Sequence, residues 1–217
     1  MKKYNLPTRK ECLAIIREYH VALHILKHSL GTAKLGGFLA QKLKEKGIAV
    51  DVDLVDRACL LHDIVRICDF KESNYSRFKH PVTEQDKAKW KQLRTRYKEI
   101  PHEDVAYELL KEKYPVLAQT IKKHRYTALL NENERPNTWE EKLVYYADKR
   151  VMHDRIVPLK ERLQEAHKRN VPLRGTEAQS QIKTAKVDSL IFELEEEIFS
   201  KIGLNPLEVT DEFIDSA

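Results

Sequence analysis

The sequence predicts an all-α fold, and three observations carry the prediction. Lys, Glu, Leu, Ala and Arg, all good helix formers, are abundant in a chain of 217 residues with only six glycines. A threonine followed three residues on by Glu or Gln, a pattern that satisfies two N–H groups at a helix start, occurs at Thr8–Glu11, Thr138–Glu141 and Thr176–Gln179. Apolar residues recur at three- and four-residue spacing along most of the chain, and nothing suggests strands in quantity.

Behind Pro7, Thr8 starts a first helix with Leu13, Ile16 and Tyr19 toward the core. A longer helix is expected over roughly 21–46, with the apolar stripe Leu26, Leu30, Ala33, Leu35, Phe38, Leu39 and Leu43 and a stop at Gly47. Residues 51–63 make the next, with Val55, Ala58, Cys59 and His62 along one face. Residues 69–100 are densely charged and are expected to be an insertion with a helix at 83–98 lying over one side of the domain, a solvated helical insert rather than a lid. Pro101 and Pro115 each open a helix, because a fixed φ and a missing N–H suit the first turn. The polar stretch 131–137 is a loop, and Thr138 starts a helix reaching at least Val151. Two more helices are expected at about 155–169 and 176–202, the second carrying Val187, Leu190, Ile191, Leu194 and Ile198.

The net charge of +5 is dispersed rather than gathered into a basic tail. That argues against nucleic acid as a partner and leaves a mild attraction for anions. No apolar run is long enough to span a membrane, and no secretory signal is expected. Cys12, Cys59 and Cys68 form no CxxC pair, and they fit a reduced, cytoplasmic protein better than a disulfide framework.

Function enters through polar residues on apolar helix faces. His28 shares a face with Val21, Ile25, Leu35 and Leu39, and His62 with Val55, Ala58 and Cys59. His102 aligns with Val105, Ala106 and Leu109, His124 with Leu117 and Ile121, and Asp148 with Val144, Ala147 and Val151. Asp63 follows His62 directly. Buried imidazoles and carboxylates cost free energy unless satisfied. Metal ions shared among all six are a more economical solution than six separate hydrogen bonds, and this donor set suits Fe, Mn, Zn, Co or Ni. His20 and His24 are expected to be structural or surface residues, because the chain turns near residue 20. The second His-Asp pair, His153-Asp154, lacks a preceding apolar run and is expected either at the surface or behind the metal ligands as their support, while His80 and His167 sit in polar contexts.

The order His28, His62-Asp63, Asp148, in "LKHSLGTAKLGG", "ACLLHDIVR" and "EEKLVYYADKRV", resembles the HD-domain superfamily of metal-dependent phosphohydrolases. His102 in "PHEDVAYELL" and His124 in "IKKHRYTAL" match the two extra histidines of its two-metal members. The similarity covers roughly 8–152. Where many relatives read His-Asp-Ile-Gly-Lys, this chain reads His62-Asp63-Ile64-Val65-Arg66, which keeps a cation at the last position.

The resemblance implies one HD-type domain over 1–217: a helical bundle with metals at its centre, a core of about 8–152, an insertion of about 69–100 and C-terminal helices over about 153–217. One or two transition-metal ions are implied: His28, His62, Asp63 and Asp148 would hold one, and Asp63, His102 and His124 the other, with Asp63 bridging, whereas a single ion would leave His102 and His124 as substrate contacts. A metal-bound hydroxide would attack a phosphate ester or anhydride of a nucleotide-like small molecule. Asp63 and Arg66 are the expected catalytic residues, and Arg66, Lys122, Arg125 and Lys149 the expected substrate cations. Tyr126 and Tyr145 are candidates for stacking on a base. An HD-fold di-iron oxygenase and a non-catalytic, metal-stabilised regulatory domain stand as alternatives, and homo-oligomerisation is open.

Overall fold

A computed structural model describes residues 4–70, 75–76, 78–174 and 178–217, with only the backbone described at 170–174 and 178–180. Among these residues the chain forms ten α-helices and one two-stranded hairpin.

The first helices are set by local chemistry. Thr8 caps α1 (Arg9–Glu18) in a reciprocal box, accepting from the Glu11 N–H while the Glu11 carboxylate accepts the Thr8 N–H at 2.7 Å. α1 buries Cys12 and Ile16, whereas Leu13 is 36% exposed. The inward face is therefore rotated by about one position from the expected one, and Leu13 is not a core residue. His20, at φ +51°, turns the chain into α2 (Leu23–Glu45). α2 ends at Gly47, where φ is +78°, a conformation open to glycine. Leu30, expected on its apolar stripe, is instead exposed.

α2 is the spine of the fold. Its buried face packs on α3 (Val52–Leu61) and α7 (Trp139–Asp148). The helices touch most closely at Gly36. A Cβ there would lie 2.7 Å from Cys59 Sγ, 3.2 Å from Val55 Cγ1 and 3.6 Å from Ala147 Cβ. The absent side chain is what lets three helices meet, and this closeness brings His28 beside the ends of α3 and α7.

Within residues 69–100 the expected helix forms, and it docks on the body through buried apolar side chains. Thr83 caps α4 (Glu84–Arg96) in a box closed by Asp86, a shorter acid than the Glu or Gln of the usual pattern. Trp90 and Leu93 are buried, the Trp90 indole donates to the His20 carbonyl at 2.8 Å, and His20 Nδ1 lies 2.8 Å from Asp86. Two of the thirteen positions in α4 are buried, and they suffice to dock the helix.

Next come α5 (His102–Leu110), α6 (Pro115–Lys122) and α7. α7 stops at Asp148, and Val151 belongs to a hairpin rather than to the helix. β1 (Val151–Met152) pairs antiparallel with β2 (Arg155–Ile156). His153-Asp154 forms its exposed turn, so residue 155 opens a strand, and α8 (Leu159–Arg174) begins four positions later than expected. α9 (Ala178–Ile202) buries Val187, Ile191, Leu194 and Ile198, while Thr176 lies outside the described residues. A final short helix, α10, spans Asp211–Ser216.

Arg150 fastens this C-terminal part to the body. Its buried guanidinium donates to the carbonyls of Val157, Pro206 and Val209 at 2.6, 3.0 and 3.2 Å, and to Tyr146 and Glu195. Among the described residues no helix is long and apolar enough to cross a membrane.

Candidate metal centre

Five segments bring their polar residues to one place: α2 with His28, the end of α3 with His62 and Asp63, the first residue of α5 with His102, the turn after α6 with His124, and the last residue of α7 with Asp148. Two histidines are oriented by the same local device. The last carbonyls of an α-helix have no intrahelical partner. His62, just past α3, places Nδ1 2.7 Å from the Cys59 carbonyl, and His124, just past α6, places Nδ1 2.6 Å from that of Ile121. Each carbonyl can only accept, so a proton sits on Nδ1, and Nε2 is the nitrogen that faces the centre.

The facing atoms fall into two groups that share Asp63. Within each of His28, His62, Asp63 and Asp63, His102, His124, the ligand atoms lie within 4.8 Å of one another. The two carboxylate oxygens of Asp63 divide between them. Oδ2 is 3.6 Å from His62 Nε2, while Oδ1 is 3.0 Å from His102 Nε2 and 3.6 Å from His124 Nε2. Asp148 Oδ1 closes the first group, 2.9 Å from His28 Nε2 and 3.6 Å from His62 Nε2.

These contacts fit cations better than they fit protein alone. His62 Nε2 is buried with no hydrogen-bond partner. Leaving such a buried polar atom unmet costs about 1–3 kcal/mol. His102 Nε2 and His124 Nε2 are 3.1 Å apart. Two nitrogens each held about 2.0–2.1 Å from a common ion would be separated by about 3.0–3.4 Å.

The electrostatics agree. Burial alone would raise both aspartates, yet both lie well below the usual carboxylate range. His62, His102 and His124 hold Asp63 down, and Lys149, His28 and His62 hold Asp148 down. Burial and Arg66 would lower His102, but Asp63 and Asp69 carry it up to about 9. Burial likewise opposes a raised His62, which the two aspartates outweigh, whereas burial, reinforced by the two neighbouring imidazoles, prevails at His124 and lowers it. The centre thus sets ionised carboxylates against imidazoles that hold protons, an arrangement a divalent cation can enter by displacing those protons.

The expected substrate cations go to different places. Arg66 Nη1 lies on the His102 ring, 2.9 and 3.2 Å from its nitrogens, and 3.0 Å from Asp69. Lys149 is buried and donates to Asp148 Oδ2 at 2.6 Å and to the His124 carbonyl at 2.7 Å, bridging the two groups from behind. Lys122 and Arg125 are directed at α5: Lys122 Nζ is 3.6 Å from Asp104 and Arg125 pairs with Asp104 and Glu103. Tyr145 is wholly buried and donates to the Tyr126 carbonyl, so it cannot stack on a base, and the Tyr126 hydroxyl is bound to Asp188. His24 pairs with His80, Nδ1 to Nε2, at 3.1 Å, and His167 with Asp188 at 2.7 Å.

Sequence reasoning missed two carboxylates beside His102. Asp69 Oδ2 is 2.8 Å from its Nδ1 and Glu103 Oε2 3.3 Å. Asp69 stands in a charged stretch that reads as solvated, and its one sequence signal is a position three residues after Arg66.

Comparison with curated proteins and with solved structures finds no match to this chain. The HD domain family model matches residues 25–152, a segment that contains all six clustered residues. With more than half of its length matched, and with its histidines and aspartates gathered as described, the chain belongs to the HD domain family, a superfamily of metal-dependent phosphohydrolases.

Proposed function

We propose that this protein hydrolyses a phosphate ester or anhydride of a nucleotide-like small molecule at a centre held by His28, His62, Asp63, His102, His124 and Asp148. The orphaned Nε2 of His62, facing two ionised carboxylates, is the observation that carries the reading. Bound transition metal (Fe, Mn, Zn, Co or Ni) supplies Lewis-acid activation of water and of the phosphoryl group. The chain's own residues do the rest. Asp63 and Asp148 stay ionised at neutral pH and balance the cations, and Lys149 fixes the Asp148 carboxylate and the turn that carries His124. Arg66, a third exposed and beside the centre, is placed to bind non-bridging phosphoryl oxygens, and a guanidinium suits that task through its planar fork of donors. Three free cysteines accord with action in the cytoplasm.

The test is turnover of a panel of nucleoside mono-, di- and triphosphates and dinucleoside polyphosphates by metal-loaded protein. The reading expects hydrolysis of at least one compound, followed by chromatography of the nucleotide products and by released phosphate or pyrophosphate, and its loss in Arg66→Ala without loss of bound metal. Oxygen consumption with a phosphonate or polyol, and no hydrolysis of any phosphate ester or anhydride, would overturn it.

A further inference from the structure

We infer that Asp69 is the positioning residue for the His102 side of the centre. The inference rests on the metal-centre reading above and goes beyond it by naming how one half of the centre is built.

His102 differs from the other histidines in its place on a helix. His62 and His124 follow helix C-termini, where unpaired carbonyls accept the Nδ1 proton. His102 is the first residue of α5, after Pro101. A helix N-terminus presents N–H groups, which cannot accept a proton from Nδ1. Without a side-chain acceptor, His102 would be free to place either nitrogen toward the centre. Asp69 Oδ2, 2.8 Å from Nδ1, supplies the acceptor.

Asp69 is itself held in register with the centre. The Arg66 N–H donates to the Asp63 carbonyl at 3.0 Å, the Cys68 N–H to Val65 at 2.9 Å and the Phe70 N–H to Ile67 at 3.1 Å. A short 3-10 helix over Arg66–Asp69 therefore starts on the backbone of Asp63, and Ile67 anchors it in the core. One rigid segment delivers one carboxylate to the inner nitrogens and, six residues later, a second to the outer nitrogen of His102. Arg66 Nη1, 3.0 Å from Asp69, is held against the His102 ring by the same carboxylate. Glu103 is the other acid near Nδ1, but it is farther, at 3.3 Å, and shares its charge with Arg125.

A carboxylate on the outer nitrogen of a ligating imidazole raises its basicity and fixes its ring, and removing such a partner weakens metal affinity by about 10–100-fold. The experiment is equilibrium titration of metal-free protein with Co(II), followed by its visible absorption, on wild type, Asp69→Ala, Asp69→Asn and Glu103→Gln. Wild type should take up one ion in each of the two groups. Asp69→Ala binds one ion as wild type does and the other about 10–100-fold more weakly, with an altered spectrum for that ion only. Asp69→Asn, which keeps an acceptor without the charge, shows a smaller loss, and Glu103→Gln stays near wild type. Thermal unfolding of each metal-free variant checks that the fold is kept. Equal affinity for both ions in Asp69→Ala and wild type, or equal weakening of both, would overturn the role of Asp69 while leaving the metal centre standing. Wild type that binds no Co(II) would overturn the centre and this role together.

Discussion

Gly36 and Gly37 are neighbours on α2, and the structure assigns opposite signs to the same substitution at each. Alanine at either position gains helix propensity of about 0.8–1 kcal/mol over glycine. At Gly37 a Cβ meets nothing within 4 Å, so the gain stands alone. At Gly36 the Cβ would sit 2.7 Å from Cys59 Sγ and 3.2 Å from Val55 Cγ1, both on fully buried side chains. Carbon contacts settle at about 3.5–4.0 Å, so α2 and α3 must separate locally by roughly 1 Å. Overpacking of this kind costs about 1–3 kcal/mol. For a chain of this size each kcal/mol moves the melting temperature by about 2–4 °C. Gly37→Ala should therefore melt about 2–4 °C above wild type, and Gly36→Ala about 2–12 °C below Gly37→Ala. Calorimetry or thermal circular dichroism reads both. Adding Cys59→Ala to Gly36→Ala removes the clashing sulfur, so the double variant should be less destabilised than the sum of the singles. Equal melting temperatures for the two alanine variants, or strict additivity with Cys59→Ala, would refute the close crossing of α2 over α3.

Other perturbations follow from buried charge. Lys149→Met should destabilise the metal-free protein by up to about 3–5 kcal/mol, because Asp148 is left as a buried charge without its ammonium. Saturating metal should recover much of that loss, which urea unfolding with and without chelator measures. His24 is lowered to about 4 by burial first, then by His80, His153 and His28, against the raising effect of Asp63. Its unfolded value is the ordinary 6.5, so between 6.5 and about 4 the unfolded chain binds more protons than the folded one. The stability His24 contributes is thus complete above that window and lost as pH falls through it. His24→Phe should flatten this part of the stability profile, and an unchanged acid limb would count against the burial of His24, whose ring centroid lies 4.3 Å from that of Phe78.

The inward histidines and aspartates were legible because helical spacing alone puts His28, His62, His102, His124 and Asp148 on apolar faces. That the faces meet at one point is a tertiary fact, and it depends on close approaches such as the one at Gly36. Asp69 escaped the same reasoning, and Lys149 was read as a substrate cation rather than as a buried one, for one physical cause. The place of each is set by a partner distant in sequence, His102 and His124, rather than by its own helix periodicity. The hairpin at Val151–Ile156 was unreadable because two-residue strands are too short to alternate. Residues 69–100 read as solvated because charge dominates their average, although Trp90 and Leu93 are enough to dock α4. Leu13 and Leu30 show the converse: apolar residues at helical spacing that the final rotation of their helices leaves in water.

The most direct test of the account is the metal content of the protein after reconstitution, in wild type and in Asp63→Asn. Asparagine keeps the shape of Asp63 and removes the one charge shared by both groups of ligands. The account predicts one ion per group in wild type and a large loss from both groups in Asp63→Asn, with helical content unchanged by circular dichroism. Wild type without transition metal under replete conditions, or Asp63→Asn with the full wild-type complement, would contradict it.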